Sequence, residues 1–215
     1  MHVYFREPFN AISHLIGAVL SIAALLAMVI KASSEGLPTL QIVSVIIFGA
    51  SLICLYTAST VYHSVKGKPG TIAFLRKLDH SMIFLLIAGS YTPFCLIALG
   101  GTIGWTLFGL VAAFGISGIL FKMVWFHSPR WVSTAIYIIM GWIIVFAIVP
   151  LSESLSTAGL SLLIFGGISY TVGGIIYGVK PRFLTFKYAG FHEIFHIFIL
   201  IGSLCHFLAV YFYVL

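Results

Sequence analysis

Charge is what this chain has least of. Its 215 residues include 11 Lys and Arg and 5 Asp and Glu, so only 7% are charged, against roughly a quarter in a soluble domain. So few ionic side chains cannot cover a water-soluble globule of this size. A soluble enzyme and a nucleic-acid-binding domain are thereby excluded. The formal charge of +6 comes without any basic run, so it marks no nucleic-acid partner and has to be read by membrane side. Cysteine is scarce too. Cys54, Cys95 and Cys205 are odd in number, lack CxxC spacing and lie in apolar segments, where they read as small buried hydrophobes. A cleavable leader is not expected, because the first apolar run, Ile12 to Ile30, is too long for a leader core and long enough to span. What is abundant is apolar side chain: 61% of the residues, with a mean hydropathy of +1.16. That composition belongs to an integral membrane protein.

A hydrocarbon core of roughly 30 Å takes about 20 apolar residues of helix. On that ruler the chain divides into seven spans: Ile12–Ile30, Leu40–Val65, Ile72–Leu99, Ile103–Trp125, Trp131–Leu151, Leu155–Val179 and Tyr188–Val214. The breaks between them carry Gly, Pro and Ser. Arg76, Lys77 and Asp79 near the start of the third span place its first turns in the interface. Tyr91-Thr-Pro93 should kink that span near mid-membrane. Glycines in spans four and six invite close packing. No loop is long enough to fold alone, so residues 1–215 are expected to form one all-α, seven-helix transmembrane bundle. Of the 11 Lys and Arg, all but Lys31 fall in the N-terminal arm and the even-numbered loops. That asymmetry puts the N-terminus in the cytoplasm and the C-terminus outside.

Ionisable groups inside lipid are costly and each is a candidate site. His63 ends the second span, Asp79 begins the third, and His192 and His196 begin the seventh. At 1.5 Å per residue all four share one layer near the cytoplasmic face. His192 and His196 are i,i+4 and face one way, as do Ser59 and His63. Three neutral imidazoles suit Zn²⁺ and leave a fourth position for water. Asp79 is either a fourth ligand or the holder of that water. Zn²⁺ lowers the pKa of bound water to about 7 and polarises a carbonyl, which equips a site for hydrolysis; the same ion serves equally as a structural pin between spans two and seven.

His192-Glu193-Ile-Phe-His196 also reads H-E-x-x-H, a metalloprotease signature with Glu193 as general base and Asp79 as third ligand. That reading leaves His63 without a task and ranks second. Glu7, Asn10 and His14 share a face at the start of span one; they either surround the metal or cap and pack that helix, the cap being preferred. Ser203 and His206, deeper in span seven, either line a polar cavity or hydrogen-bond across helices, the latter preferred. His80 has no evident partner, and His2 and His127 read as solvated.

At these residues the chain resembles the bacterial hemolysin III family, the prokaryotic branch of the PAQR (progestin and adipoQ receptor) group, which is grouped with the alkaline ceramidases. The matching stretches are Glu7-Pro-Phe-Asn-Ala-Ile-Ser-His14, Ser59-Thr-Val-Tyr-His63-Ser, Arg76-Lys-Leu-Asp79-His80, Ala88-Gly-Ser-Tyr-Thr-Pro93, Gly190-Phe-His192-Glu-Ile-Phe-His196 and His206-Phe207. The resemblance implies a multi-pass protein of the bacterial plasma membrane with Zn²⁺ held by His63, His192 and His196. Asp79 would hold the water, with Ser59 beside it. In relatives such a site is tied to hydrolysis of lipid amides or to lipid and hormone sensing; bacterial members are named for a lytic phenotype and are linked to membrane fluidity and energetics. The leading expectation is a zinc-dependent hydrolase of lipid acyl amides or esters, with membrane lipids as partners, serving lipid homeostasis. A lipid sensor with structural zinc and a cytolytic membrane protein are the alternatives. A pore should show a polar face through a helix's full thickness, and the titratable residues here keep to one level.

Overall fold

A computed structural model of the protein describes residues 5–125, 128–184, 186 and 190–215. Among these residues there are seven helical spans long and apolar enough to cross a membrane, and no strand. The spans are α1 (Pro8–Ser34), α2 (Thr39–Ser64), α3 (Pro69–Pro93, continued by a π-helical turn over Phe94–Leu99), α4 (Gly101–Val124), a fifth span made of α5 (Arg130–Trp142), a 3-10 turn (Ile143–Ala147) and α6 (Ile148–Ser154), then α7 (Thr157–Val179) and α8 (Phe191–Ala209, with a π-helical turn over Val210–Val214). His2, His127, Lys187 and Tyr188, all used in reading the sequence, lie outside the described residues.

The helices begin and end on local chemistry. Pro8 and Pro69 occupy the first turns of α1 and α3, where a missing N–H costs nothing. Both helices therefore start before the apolar runs that mark them. Ser156 caps α7 by accepting from the Gly159 N–H at 3.2 Å. Gly100 and Gly101 take φ of 59° and 48°, a left-handed pair that only glycine adopts cheaply, and this turns the chain sharply from span three into α4.

The fifth span is not the continuous helix expected over Trp131–Leu151. Pro150 has no N–H to give to the Phe146 carbonyl, and its ring crowds that turn. The Tyr91 hydroxyl meanwhile inserts from α3: it accepts from the Ile144 N–H at 2.9 Å and donates toward the Met140 and Gly141 carbonyls at 3.0 and 2.8 Å. A side chain in the ladder breaks a helix as surely as proline does. Span three shows the milder change. After Pro93 the helix passes into a π-helical turn over Phe94–Leu99.

Polarity is arranged inside out. Leu20, Val124 and Phe146 are 61%, 87% and 90% exposed, as suits a surface solvated by lipid chains. Asn10, His14, Ser59, His63, Asp79 and His196 are buried. Cys95 is buried as expected, but Cys54 faces outward and Cys205 is half-buried; an apolar span needs no interior for its small hydrophobes. α1 packs on α2 and α8, α2 on α3, and α8 on α7, while α5 bridges α7 and α3. These six close a ring, and α4 lies outside it against α3. Gly115 and Gly118 bring α4 close: a Cβ on Gly118 would strike the Phe84 ring. Glycines of α7 do the same, Gly166 admitting His206 and Gly173 the Phe198 side chain.

Candidate metal centre

The ring of helices brings the last turns of α2, the first turns of α8 and the start of α1 to one end of the bundle. His63, His192 and His196 each offer a ring nitrogen there, and these three atoms lie within 4.8 Å of one another. Their ring centroids are 5.0, 4.9 and 4.8 Å apart. His63 and His196 are essentially inaccessible, at 0% and 1% exposure. Among the described residues, His63 Nε2 and His196 Nδ1 are buried without a hydrogen-bond partner. Orphaned polar atoms of this kind cost about 1–3 kcal/mol each, and converging imidazole nitrogens are the donor set that transition-metal ions take. The three residues thus fit a metal ion.

The residues behind them make that fit firmer. Glu7 Oε2 stands 2.6 Å from His63 Nδ1. The His63 hydrogen bond, against a smaller opposing effect of burial and with help from the His63 and Arg6 charges and Asn10, holds the Glu7 carboxyl down at about 2. An ionised carboxylate only accepts, so His63 Nδ1 is the donor of this bond and Nε2 is the nitrogen that remains for a metal. This is the carboxylate–histidine pairing that orients metal-binding imidazoles. Asn10 Nδ2 lies 3.4 Å from His192 Nδ1 and donates to Glu193 Oε1 at 3.1 Å. His14 stacks on His196 with centroids 3.7 Å apart. Of the preferred reading of Glu7, Asn10 and His14 as capping and packing groups of α1, the side-chain cap is not seen. Glu7 occupies the N-cap position of α1, but its side chain makes no capping bond, and the contacts of all three run to the histidines.

Glu193 is drawn the other way. Its Oε2 accepts from the Gly190 N–H at 2.8 Å, closing the start of α8, and its Oε1 takes the Asn10 amide. Both oxygens are engaged away from the role of a general base.

Asp79 and Ser59 are both buried, and Asp79 stands outside the group of three mutually close donors. Asp79, Ser59, His14, His192 and His196 share the wall of an internal cavity of about 140 Å³ that runs through the ring to His206. The remaining walls are mainly apolar, with Leu86, Ile87, Phe94 and Ile199 among them. Ser203 ties three spans together, receiving the Tyr56 hydroxyl at 2.7 Å and meeting that of Tyr170 at 2.8 Å. His206 packs against Gly166 and edge-on to Tyr170. His80, left without a partner by the sequence, meets the Tyr177 hydroxyl through Nε2 at 3.3 Å and receives the Tyr137 hydroxyl on its carbonyl at 3.0 Å. These tyrosines escaped the sequence reading because a phenol in an apolar span scores as aromatic packing.

Comparison with known proteins agrees across the whole chain. Residues 2–207 match the family model described as Haemolysin-III related. Hemolysin-3 of Bacillus cereus is 46% identical over 210 residues, covering 98% of this chain and 92% of the relative. A Hemolysin-3 homolog of Bacillus subtilis (strain 168) is 45% identical over 208 residues, covering 97% and 94%. The human monocyte to macrophage differentiation factor is 24% identical over 174 residues, covering 78% and 68%.

Proposed function

Because the chain belongs to the haemolysin-III related family of multi-pass membrane proteins, we propose that its three histidines hold Zn²⁺ and that it hydrolyses an acyl amide or ester of a membrane lipid, contributing to lipid homeostasis. The observation that carries the proposal is the three-imidazole donor set, two members of which, His192 and His196, share the wall of a mainly apolar cavity with Asp79 and Ser59. When bound, Zn²⁺ supplies a Lewis acid and lowers the pKa of water. The chain supplies the rest. Glu7 fixes the tautomer of His63, and the His14 stack fixes the ring plane of His196. The apolar walls receive the acyl chain and exclude bulk water. Asp79 would take the proton of the attacking water and pass it to the amine or alkoxide that leaves as the acyl C–N or C–O bond breaks. Ser59, which shares the cavity wall with Asp79, supplies a hydroxyl to orient that carboxylate or to turn toward the reacting carbonyl oxygen.

The sensor reading has one observation in its favour: Glu7, Asn10 and the histidines already link α1, α2 and α8, so a metal there would also pin helices. The engaged oxygens of Glu193 speak against the protease reading. The deciding experiment pairs metal content with turnover. Purified protein should carry about one zinc per chain, lost in His192→Ala and His196→Ala. Asp79→Asn should retain zinc and release no fatty acid from a ceramide-type lipid amide. Zinc unchanged in the histidine variants refutes the ligand set, and full turnover by Asp79→Asn removes that residue from the chemistry.

A further inference from the structure

His206 is a buried polar side chain that the metal centre does not use. It lies in the wall of the large cavity, is 7% exposed, and has neither ring nitrogen in a hydrogen bond. The Leu163 carbonyl is close by but makes no hydrogen bond with it. The ring is held by shape instead. It fits against Gly166, where a Cβ would strike it, and stands edge-on to Tyr170 and Phe94. Among the described residues, the other cavity-lining side chains with an unpaired buried atom are His14, Thr134 and His196. His14 stacks on His196, and Thr134 lies against Gly178 near the end of α7, so all three belong to the histidine end. His206 follows His196 by ten residues on α8, about 15 Å deeper at the rise of a helix.

A neutral imidazole presents one N–H donor and one bare nitrogen, and a polar group left unpaired in apolar surroundings is costly. The other polar side chains deep in the cavity wall are already paired. Tyr170 meets Ser203, Tyr91 holds the backbone of span five, Ser90 donates to the Ile87 carbonyl, and Trp142 donates to Thr171. A buried water is typically held by about three polar partners, and His206 is the one side chain here with a hydrogen bond to offer. A hydroxyl carried on a lipid chain needs no more than that, because the chain itself keeps it in place. It both donates and accepts, and so suits either tautomer of the ring.

We propose that His206 selects the lipid that enters the cavity by receiving a hydroxyl partway along its acyl chain. The head of the lipid lies at the histidine end, and the hydroxyl lies about 15 Å further in, between the apolar walls. The inference deepens the proposed function by naming a substrate class, acyl lipids hydroxylated in mid-chain. It rests on that reading only in placing an acyl chain in the cavity.

The test is the melting temperature of the purified full chain in detergent, titrated with oleic acid or with ricinoleic acid, which is oleic acid carrying a mid-chain hydroxyl. A ligand that binds only the folded state raises the melting temperature with its concentration. Ricinoleic acid should give the same rise at about ten-fold lower concentration than oleic acid. His206→Phe keeps a ring of similar size and should respond equally to the two acids. His206→Gln retains a donor and an acceptor and should keep part of the preference. Ser90→Ala should keep all of it, because that hydroxyl is engaged with the Ile87 carbonyl. Equal response of the wild type to both acids overturns the proposal and leaves His206 to a water. So does a preference that survives in His206→Phe, or one lost as fully in Ser90→Ala, which would reduce the effect to general polarity of the wall. If His206→Phe fails to fold, the wild-type comparison and the partial loss in His206→Gln still decide. Binding is read without turnover: a preference with no fatty acid released from a lipid amide refutes the hydrolysis and leaves this site standing, and release without a preference does the reverse.

Discussion

Replacing Glu7 by Gln changes one oxygen to an amide nitrogen and removes one negative charge, with almost no change in shape. In the protein that carboxylate faces His63 Nδ1 at 2.6 Å. A hydrogen bond to a charged group contributes roughly 1.5–3 kcal/mol. The Glu7 side chain is 37% exposed, so solvent screening argues for the low end of that range. About 1.4 kcal/mol is a factor of ten in an equilibrium constant, the lower bound expected when a residue orienting a metal-bound histidine is removed. The chemistry adds a direction. A carboxylate compels His63 Nδ1 to hold the proton, whereas an amide can also present its NH₂ and drive the proton onto Nε2, the nitrogen that would bind the metal. Glu7→Gln should therefore bind Zn²⁺ about ten-fold more weakly. The assay is competition between metal-stripped protein and a zinc-binding dye in detergent. The melting temperature in excess chelator, measured alongside, should be little changed, showing that the fold survives. Affinity within about two-fold of wild type would mean that Nε2 needs no help from Glu7, and the second-sphere argument would fail.

Three packing predictions are read by thermal unfolding in detergent. Tyr91→Phe strands the Ile144 N–H that the phenol now receives, and should cost about 1–3 kcal/mol; an unchanged melting temperature would show that the 3-10 turn does not need the hydroxyl. Gly118→Ala drives a methyl into Phe84 and should cost about 1–3 kcal/mol, whereas Gly109→Ala, with nothing within 4 Å of the new atom, should be neutral. Equal effects would refute the close α3–α4 approach. Ser203→Ala removes the shared partner of two buried phenols and should destabilise by about 1–3 kcal/mol; a neutral outcome would mean that Tyr56 and Tyr170 find each other or a carbonyl instead.

What the sequence could reveal follows from the length scale of each signal. Span number and limits are set by hydropathy over about 20 residues, and the structure agrees to within a few residues at most ends. The pairing of His192 with His196 is local, fixed by 3.6 residues per turn. That His63 shares their depth followed from helical rise alone. That it also shares their azimuth depends on how α2 packs against α1 and α8, which no single helix records. The same gap explains Glu7, Asn10 and His14: their spacing showed a common face, not that the histidines lie opposite. The break in span five was hidden for a related reason. Pro150 is visible in the sequence, but the hydroxyl that completes the break belongs to Tyr91, some 50 positions earlier on another helix.

The distribution of polar groups beyond the histidine layer bears on the lytic reading. A conduit needs polar atoms turned to a continuous aqueous path. Here hydroxyls deeper in the bundle turn to backbone carbonyls of their own or a neighbouring helix, or to one another. Ser21 donates to the Gly17 carbonyl, Ser51 to that of Phe48, and Thr92 to those of Gly89 and Ser44. Tyr56 and Tyr170 close on Ser203. Groups satisfied in this way offer passing ions nothing in place of water, and mainly apolar side chains line the cavity between them. A lytic effect of such a chain would therefore arise from assembly of several bundles or from altered membrane lipids. The two causes separate in vesicles: protein-induced leakage that is abolished by Asp79→Asn points to lipid turnover, and leakage that persists in that variant points to assembly.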